Sequence, residues 1–220
     1  LCHSGTQALE IIAEYFTSHG HDVMGVDRLD QRRPMNFHFS QADVRDESAL
    51  TLIFSKFKPQ AIIHAAAVLA HERPSEEDLW TSNVNGTRIL ADIAIQFGCE
   101  SFVFLSSNCL WANEFHVPVT EQEPPEPIEI YGNSKLEGER ILQTRVDQIR
   151  VVIMRSPTIV SAGRLGLLGI LFQFIEEGRR VYVVCSGNNR YQFVYAPDYC
   201  NAISKMLEAK LSGIYNVGSM

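Results

Sequence analysis

The chain has 220 residues, 45% of them hydrophobic and 20% charged, and a net charge of −7. That is the profile of a soluble globular protein with room for one domain and a small lobe. The acidic balance argues against a nucleic-acid partner, and the longest apolar stretch, Leu165 to Ile175, is too short to span a bilayer.

The five cysteines are scattered and include no C-x-x-C. This suits reduced thiols in a cytoplasm better than a disulfide framework. The seven histidines show no ligand spacing, so no metal site is expected. No signal peptide is recognised, and Leu1 is not read as the natural start.

Taken in order, residues 1–20 read as a turn running into a helix. An apolar stripe (Ala8, Leu9, Ile11, Ile12, Tyr15, Phe16) is closed by Gly20. His21 to Asp27 reads as a short buried strand ending in an acid. In a dinucleotide-binding fold, a carboxylate at that place takes the adenosine ribose hydroxyls. Asp27 would repel an extra ribose phosphate, so it selects NAD over NADP, although Arg28 beside it softens the preference.

The segment from Cys2 to Ala8 matches a G-x-x-G-x-x-G loop only at Gly5, with Ala8 standing in at the last position. Cys2 brings a side chain where the tight turn wants none. Gln41 to Asp46 precedes a helix through Leu50, Ile53, Phe54 and Phe57, stopped by Pro59. Ala61 to Ala67 is continuously apolar, which suits a parallel strand covered on both faces. Its small carboxyl-terminal residues leave room for a ligand, and His64 is read as a core residue.

Residues 75–98 read as one amphipathic helix, and Ser101 to Ser107 as another buried strand ending in two hydroxyls. The Glu- and Pro-rich loop from Glu121 to Pro127 reads as a solvated face and delivers Tyr131-Gly132-Asn133-Ser134-Lys135. A tyrosine and a lysine four apart share one face of a helix. A lysine cation beside a phenol favours the phenolate, so Tyr131 can take a proton from a sugar hydroxyl while a cofactor takes the hydride.

Val151 to Met154 is the next strand, and Leu165 to Gly178 a helix outside the main sheet. Tyr182 to Cys185 reads as a strand and Ser186 to Arg190 as a turn. Phe193 to Asp198 leads into a helix capped by Asp198, and Gly213 to Val217 is the last strand. Alternating strands and helices call for an α/β fold with a doubly wound parallel sheet.

The order of these motifs resembles the extended short-chain dehydrogenase/reductase family, in its NAD-dependent epimerase/dehydratase branch. The pieces that carry the likeness are Val26-Asp27, Asp43-Val44, His64 to Ala67, Asn83 to Thr87, Leu105-Ser106-Ser107, Tyr131 to Glu137, Met154 to Pro157 and Val194 to Asp198. The resemblance implies a Rossmann-like sheet half that binds NAD and a smaller lobe that binds a nucleotide sugar. Residues 1–155 would form the dinucleotide-binding domain and 156–191 part of the substrate lobe. Residues 192–220 would return to the first domain, with the rest of the lobe absent from this chain.

Carried over position by position, Tyr131 resembles the catalytic acid/base and Lys135 its partner, which also holds the nicotinamide ribose. Ser107 resembles the hydroxyl that hydrogen-bonds the reacting oxygen, whereas Ser106 is structural. Gly5 and Gln7 belong to the cofactor loop, Asp43 and Val44 flank the adenine, and Ala65, Ala66 and Ala67 line the pyrophosphate side. Asn83 sits near the cofactor, and Pro157 touches the nicotinamide through its backbone. Asn108, Thr158 and Arg190 join Ser107 on the substrate side, with Arg190 near the place of a diphosphate-binding arginine.

Trp111-Ala112 departs from the family's usual Tyr-Gly. Sugar 4,6-dehydratases carry acids just after the catalytic hydroxyl, where this chain has Asn108 and Cys109; neither is a carboxylic acid. The expected activity is therefore a nucleotide-sugar epimerase. The alternatives are a reductase or dehydrogenase of another substrate and a non-catalytic dinucleotide-binding relative. Helices near 83–97 and 131–146 would pair across a homodimer.

Overall fold

The computed structural model describes residues 4–30, 34–69, 74–111, 118–161, 167–181 and 190–218. Its strands are β1 (Met24–Asp27), β2 (His38–Gln41), β3 (Ala61–His64), β4 (Ser101–Ser107), β5 (Arg150–Ser156), β6 (Thr158–Val160), β7 (Phe193–Tyr195) and β8 (Gly213–Asn216). Its helices are α1 (Ser4–Ser18), α2 (Glu47–Phe57), α3 (Glu76–Trp80), α4 (Gly86–Gln96), α5 (Ile130–Gln143), α6 (Leu167–Glu176) and α7 (Ala196–Glu208). Among the described residues no helix is long and apolar enough to cross a membrane.

Every strand pair is parallel. The strands fall into β1-β2, the block β3-β4-β5-β8, and the separate pair β6-β7. Side chains along β4 and β5 alternate between two cores, as strand geometry requires. Phe102, Phe104, Val151 and Ile153 meet Leu50 and Phe54 of α2, Leu90 and Ile93 of α4 and Leu142 of α5. Val103, Leu105, Val152 and Met154 meet Phe16 of α1 and Tyr199 and Ile203 of α7. Helices thus cover both faces, the doubly wound α/β architecture, and this is why β4 and β5 read as unbroken apolar runs.

Several local readings need correction. The helix expected over 75–98 runs without a break from Glu76 to Gln96 but is not α throughout: α3 passes through a π turn over Thr81–Asn85 into α4. A single π turn adds one residue to the stripe, too small a shift to stand out from the pattern of apolar residues. Asp198 does not cap α7; the helix starts at Ala196 with Pro197 in its first turn, and no side-chain cap bond forms. Asp198 instead lies inside the first turn, where its charge suits the helix dipole. Strands β2 and β6 and the strand character of β7 were not expected, because three- and four-residue strands show too little alternation to read. The strand expected over Tyr182 to Cys185 and most of the turn before Arg190 lie outside the described residues.

Asp46 caps α2, its carboxylate accepting from the Ala49 amide at 2.9 Å. Replacing it with Ala should cost about 1 kcal/mol, and with Ser or Asn far less. Urea unfolding of the two variants checks this.

Candidate active site

In a parallel sheet all carboxyl ends lie on one edge, where open α/β sheets bind ligands. Ser107 ends β4 there, in register with Ser156 of β5. Its Oγ accepts from the Cys109 amide at 3.1 Å, capping a single 3-10 turn over Asn108–Leu110. The hydroxyl hydrogen is separate from that bond and can serve a second partner.

Glu129 is the cap of α5. Its two carboxylate oxygens accept from the Tyr131 amide at 2.9 Å and the Gly132 amide at 2.6 Å. The Glu-rich loop is therefore more than a solvated face. Glu121 is also engaged, accepting from the Asn216 amide at 2.7 Å, which holds its carboxyl below the usual range. A Cβ on Gly132 would collide with the Cys109 carbonyl oxygen. The glycine lets α5 start directly against the turn that follows Ser107.

Lys135 stands one turn beyond Tyr131 and is only 3% exposed. Its Nζ lies 4.5 Å from the centre of the Phe104 ring and 6.0 Å from that of Tyr131, within the range of cation–π attraction. Burial pulls its pKa down to about 8, opposed by the charge of Glu139. His64 is fully enclosed, with Nε2 2.9 Å from Thr87 Oγ1; burial first, and the Lys135 charge second, push its pKa down to about 3. It is a neutral core residue, as expected.

Asn83 is buried behind this pair. Its amide hydrogens go to the Val68 carbonyl and to Ser134 Oγ, both at 3.0 Å, and its oxygen accepts from the Val68 amide at 2.7 Å. It braces the loop after β3 against α5. The π turn turns Asn83 into that position, which no periodicity could announce.

In the separate β1-β2 pair, Asp27 closes β1, and its Oδ1 accepts from the Leu29 amide at 2.9 Å. Asp43 is gripped by Arg45: Oδ1 accepts from Nε at 2.9 Å and Oδ2 from Nη2 at 2.7 Å. That grip holds its carboxyl below the usual range. Arg45 also donates to Asp78 at 2.8 Å. Val44 packs on Gly86, where a Cβ would strike its methyl groups.

Asp27, Asp43, Val44, Ala65, Ala66 and Ala67 line a mostly apolar cavity of about 530 Å³ that runs between β1 and β3. The same cavity is walled by core side chains of α1 and α2, Phe16, Leu50 and Phe54 among them, and opens between two strands that do not pair with each other. Gly5 and Gln7 lie in the first turn of α1.

Pro157 is buried directly after Ser156 and Thr158 next to it is exposed, while Asn108 is exposed directly after Ser107. Arg190 is exposed three residues before β7. Among the described residues no group of three or more His, Cys, Asp or Glu is placed to hold a metal.

The site residues that sequence reasoning missed are Glu129, Glu139 and Arg155. Glu139 and Arg155 form a buried ion pair, 1% and 4% exposed in their side chains, with Nη2 2.7 Å from Oε2. The signal was present: an arginine inside an apolar strand needs a buried partner, and Glu139 continues the face of Tyr131 and Lys135.

Against known proteins, the family model described as the NAD-dependent epimerase/dehydratase family matches residues 10–218. The chain belongs to that family. It is 34% identical over 187 residues to an uncharacterised protein of Sinorhizobium fredii, covering 84% of this chain and 46% of that one. It is 30% identical over 202 residues to UDP-glucose 4-epimerase 2 of Arabidopsis thaliana, covering 89% and 58%. The chain thus spans about half the length of the curated relatives it matches. Its fold superposes on the Bordetella bronchiseptica enzyme WbmG in complex with NAD and UDP with a TM-score of 0.85 and 21% identity, covering 95% of this chain and 68% of that one.

The buried ammonium makes a checkable linkage. Lys135 ionises at about 8 in the fold and near 10.5 when unfolded, so between those values the unfolded chain holds more protons and stability rises with pH. Urea unfolding of the ligand-free protein across pH 8 to 10 should show that rise, and Lys135→Met should flatten it.

Proposed function

We propose that this family member is an NAD-dependent nucleotide-sugar epimerase in which Tyr131 is the acid/base, Lys135 its electrostatic partner and Ser107 the hydroxyl that holds the reacting oxygen. The observation that carries this is the cationic Lys135 enclosed one turn from Tyr131, on the helix that begins against the Ser107 turn. A phenol beside a buried cation gives up its proton more readily. Tyr131 then takes the proton of a sugar hydroxyl aligned by Ser107 and later returns it.

The residues along the edge fit a dinucleotide. Asp27 would take the adenosine ribose hydroxyls, and Asp43 and Val44 would flank the adenine. Ala65 to Ala67 and the first turn of α1, with Gly5 and Gln7, suit the pyrophosphate. Lys135 and Pro157 suit the nicotinamide end. Asp27 disfavours the additional phosphate of NADP, and Asp78, 3.8 Å from Arg28, offsets the neighbouring positive charge. NAD bound there would supply the hydride acceptor, and its reduced form the hydride donor, for a reaction with no net redox change.

Asn108 and Cys109 offer no carboxylic acid to expel water, which favours epimerisation over dehydration. The named activity of the Arabidopsis relative is in line with this reading. Asn108, Thr158 and Arg190 would face the nucleotide sugar. A homodimer through α4 and α5, working in the cytoplasm, completes the proposal; a monomeric mass by light scattering would remove the dimer.

Tyr131→Phe keeps the ring and removes the proton carrier. It should lower turnover of a UDP-sugar by at least about 100-fold, the scale of a lost general acid/base, with NAD affinity by calorimetry within a few fold of the parent. Unchanged turnover would sink the mechanism, and steady consumption of NADH would make the enzyme a reductase instead.

A further inference from the structure

Beneath the Tyr131–Lys135 pair lies a second set of polar contacts that the proposed chemistry does not itself use. Tyr131, Lys135 and Glu139 follow one another at four-residue spacing on α5, so they share one face. Glu139 is almost fully enclosed. Its carboxylate accepts from Ser106 Oγ at 2.5 Å, from Arg155 Nε at 3.0 Å and from Arg155 Nη2 at 2.7 Å. Arg155 is fixed in turn, its guanidinium 5.1 Å from the Trp111 ring centre and its Nη1 3.5 Å from the Glu121 carbonyl oxygen.

We infer that Glu139, clamped by Arg155 and Ser106, is the positioning residue that keeps Lys135 a cation beneath Tyr131. An isolated ammonium in this enclosure would give up its proton. The charge that bears on Lys135 is Glu139 on its own helix; His64 from β3 is uncharged, Arg155 from β5 acts through the carboxylate it holds, and Tyr131 stands one turn away. Among the described residues, Glu139 is the carboxylate whose charge opposes the effect of burial on Lys135.

Its oxygens are spoken for by one hydroxyl and one bidentate guanidinium, so it cannot swing toward Lys135 and take its proton. Arg155 and Ser106 lie on β5 and β4, in register with each other. The sheet edge therefore dictates where the carboxylate sits, and the carboxylate sets the charge state one turn up the helix. A simple structural brace between helix and sheet predicts the same stability but no effect on Lys135.

This inference rests on the acid–base reading of Tyr131, and its test separates the two. The 13Cε shift of Lys135 in lysine-labelled protein, followed against pH, reads that ammonium directly and without turnover. In Glu139→Gln the midpoint should fall by about one unit or more, a tenfold change, because a carboxylate is removed and the Arg155 charge is left uncompensated. The double variant Glu139→Gln, Arg155→Met removes both charges and restores a matched interior, which such pairs often tolerate; its Lys135 midpoint should also lie below that of the parent. The double variant serves where the single one does not fold.

A Lys135 midpoint unmoved in a folded variant overturns the inference. A lowered midpoint supports it. If the midpoint falls while the pH profile of turnover stays fixed, the positioning role stands and the acid–base reading of Tyr131 fails.

Discussion

Three charges buried in a row govern this molecule: the Lys135 ammonium, the Glu139 carboxylate and the Arg155 guanidinium. Taking charges out of water is costly unless each finds a partner of opposite sign with good geometry. Here one anion serves two cations, and its lone pairs are filled by Arg155 and Ser106. Matching them requires α5, β4 and β5 to meet at one place and in one register. The same requirement reaches outward, because Trp111 covers Arg155 and the segment before α5 is latched to β8 through Glu121, Asn216 and Val119.

Close approach makes that meeting possible. Gly138 lets Phe104 lie against α5, where a Cβ would come within 2.7 Å of the ring. Phe104 thereby becomes the surface on which the Lys135 ammonium rests. Gly132 performs the same service at the start of the helix, against the turn after Ser107. Neither glycine has a positive φ, so each is required for space and not for backbone freedom. The π turn before α4 adds the last brace: it widens the helix by a residue and sends Asn83 back to hold the loop after β3.

The Tyr131 and Asp27 ends of the molecule are built differently. At the Tyr131 end, buried charges fix the side chains. At the Asp27 end, exposed or half-exposed charges (Asp43, Arg45, Asp78, Arg28) form a chain across the surface. Such pairs are screened by solvent and contribute little each. They keep Asp43 and the loop that carries Val44 in place beside an apolar cavity, which is a different task from tuning an ionisation.

What could be read from the chain was whatever depends on short range and on period. Continuous apolar runs announced β3, β4 and β5, because strands covered on both faces need no polar side. The spacing of Tyr131 and Lys135 announced one helical face, and the run before Asp27 announced β1. Asp198 misled because a good cap residue close to a helix start says nothing of whether Pro197 begins the helix earlier. What only the folded chain decided was pairing between residues far apart: Glu139 with Arg155, Glu121 with Asn216, Asn83 with Val68 and Ser134. A charge in an apolar stretch tells that a partner must exist, but its identity depends on which elements the sheet brings side by side, and that is a property of the packed whole.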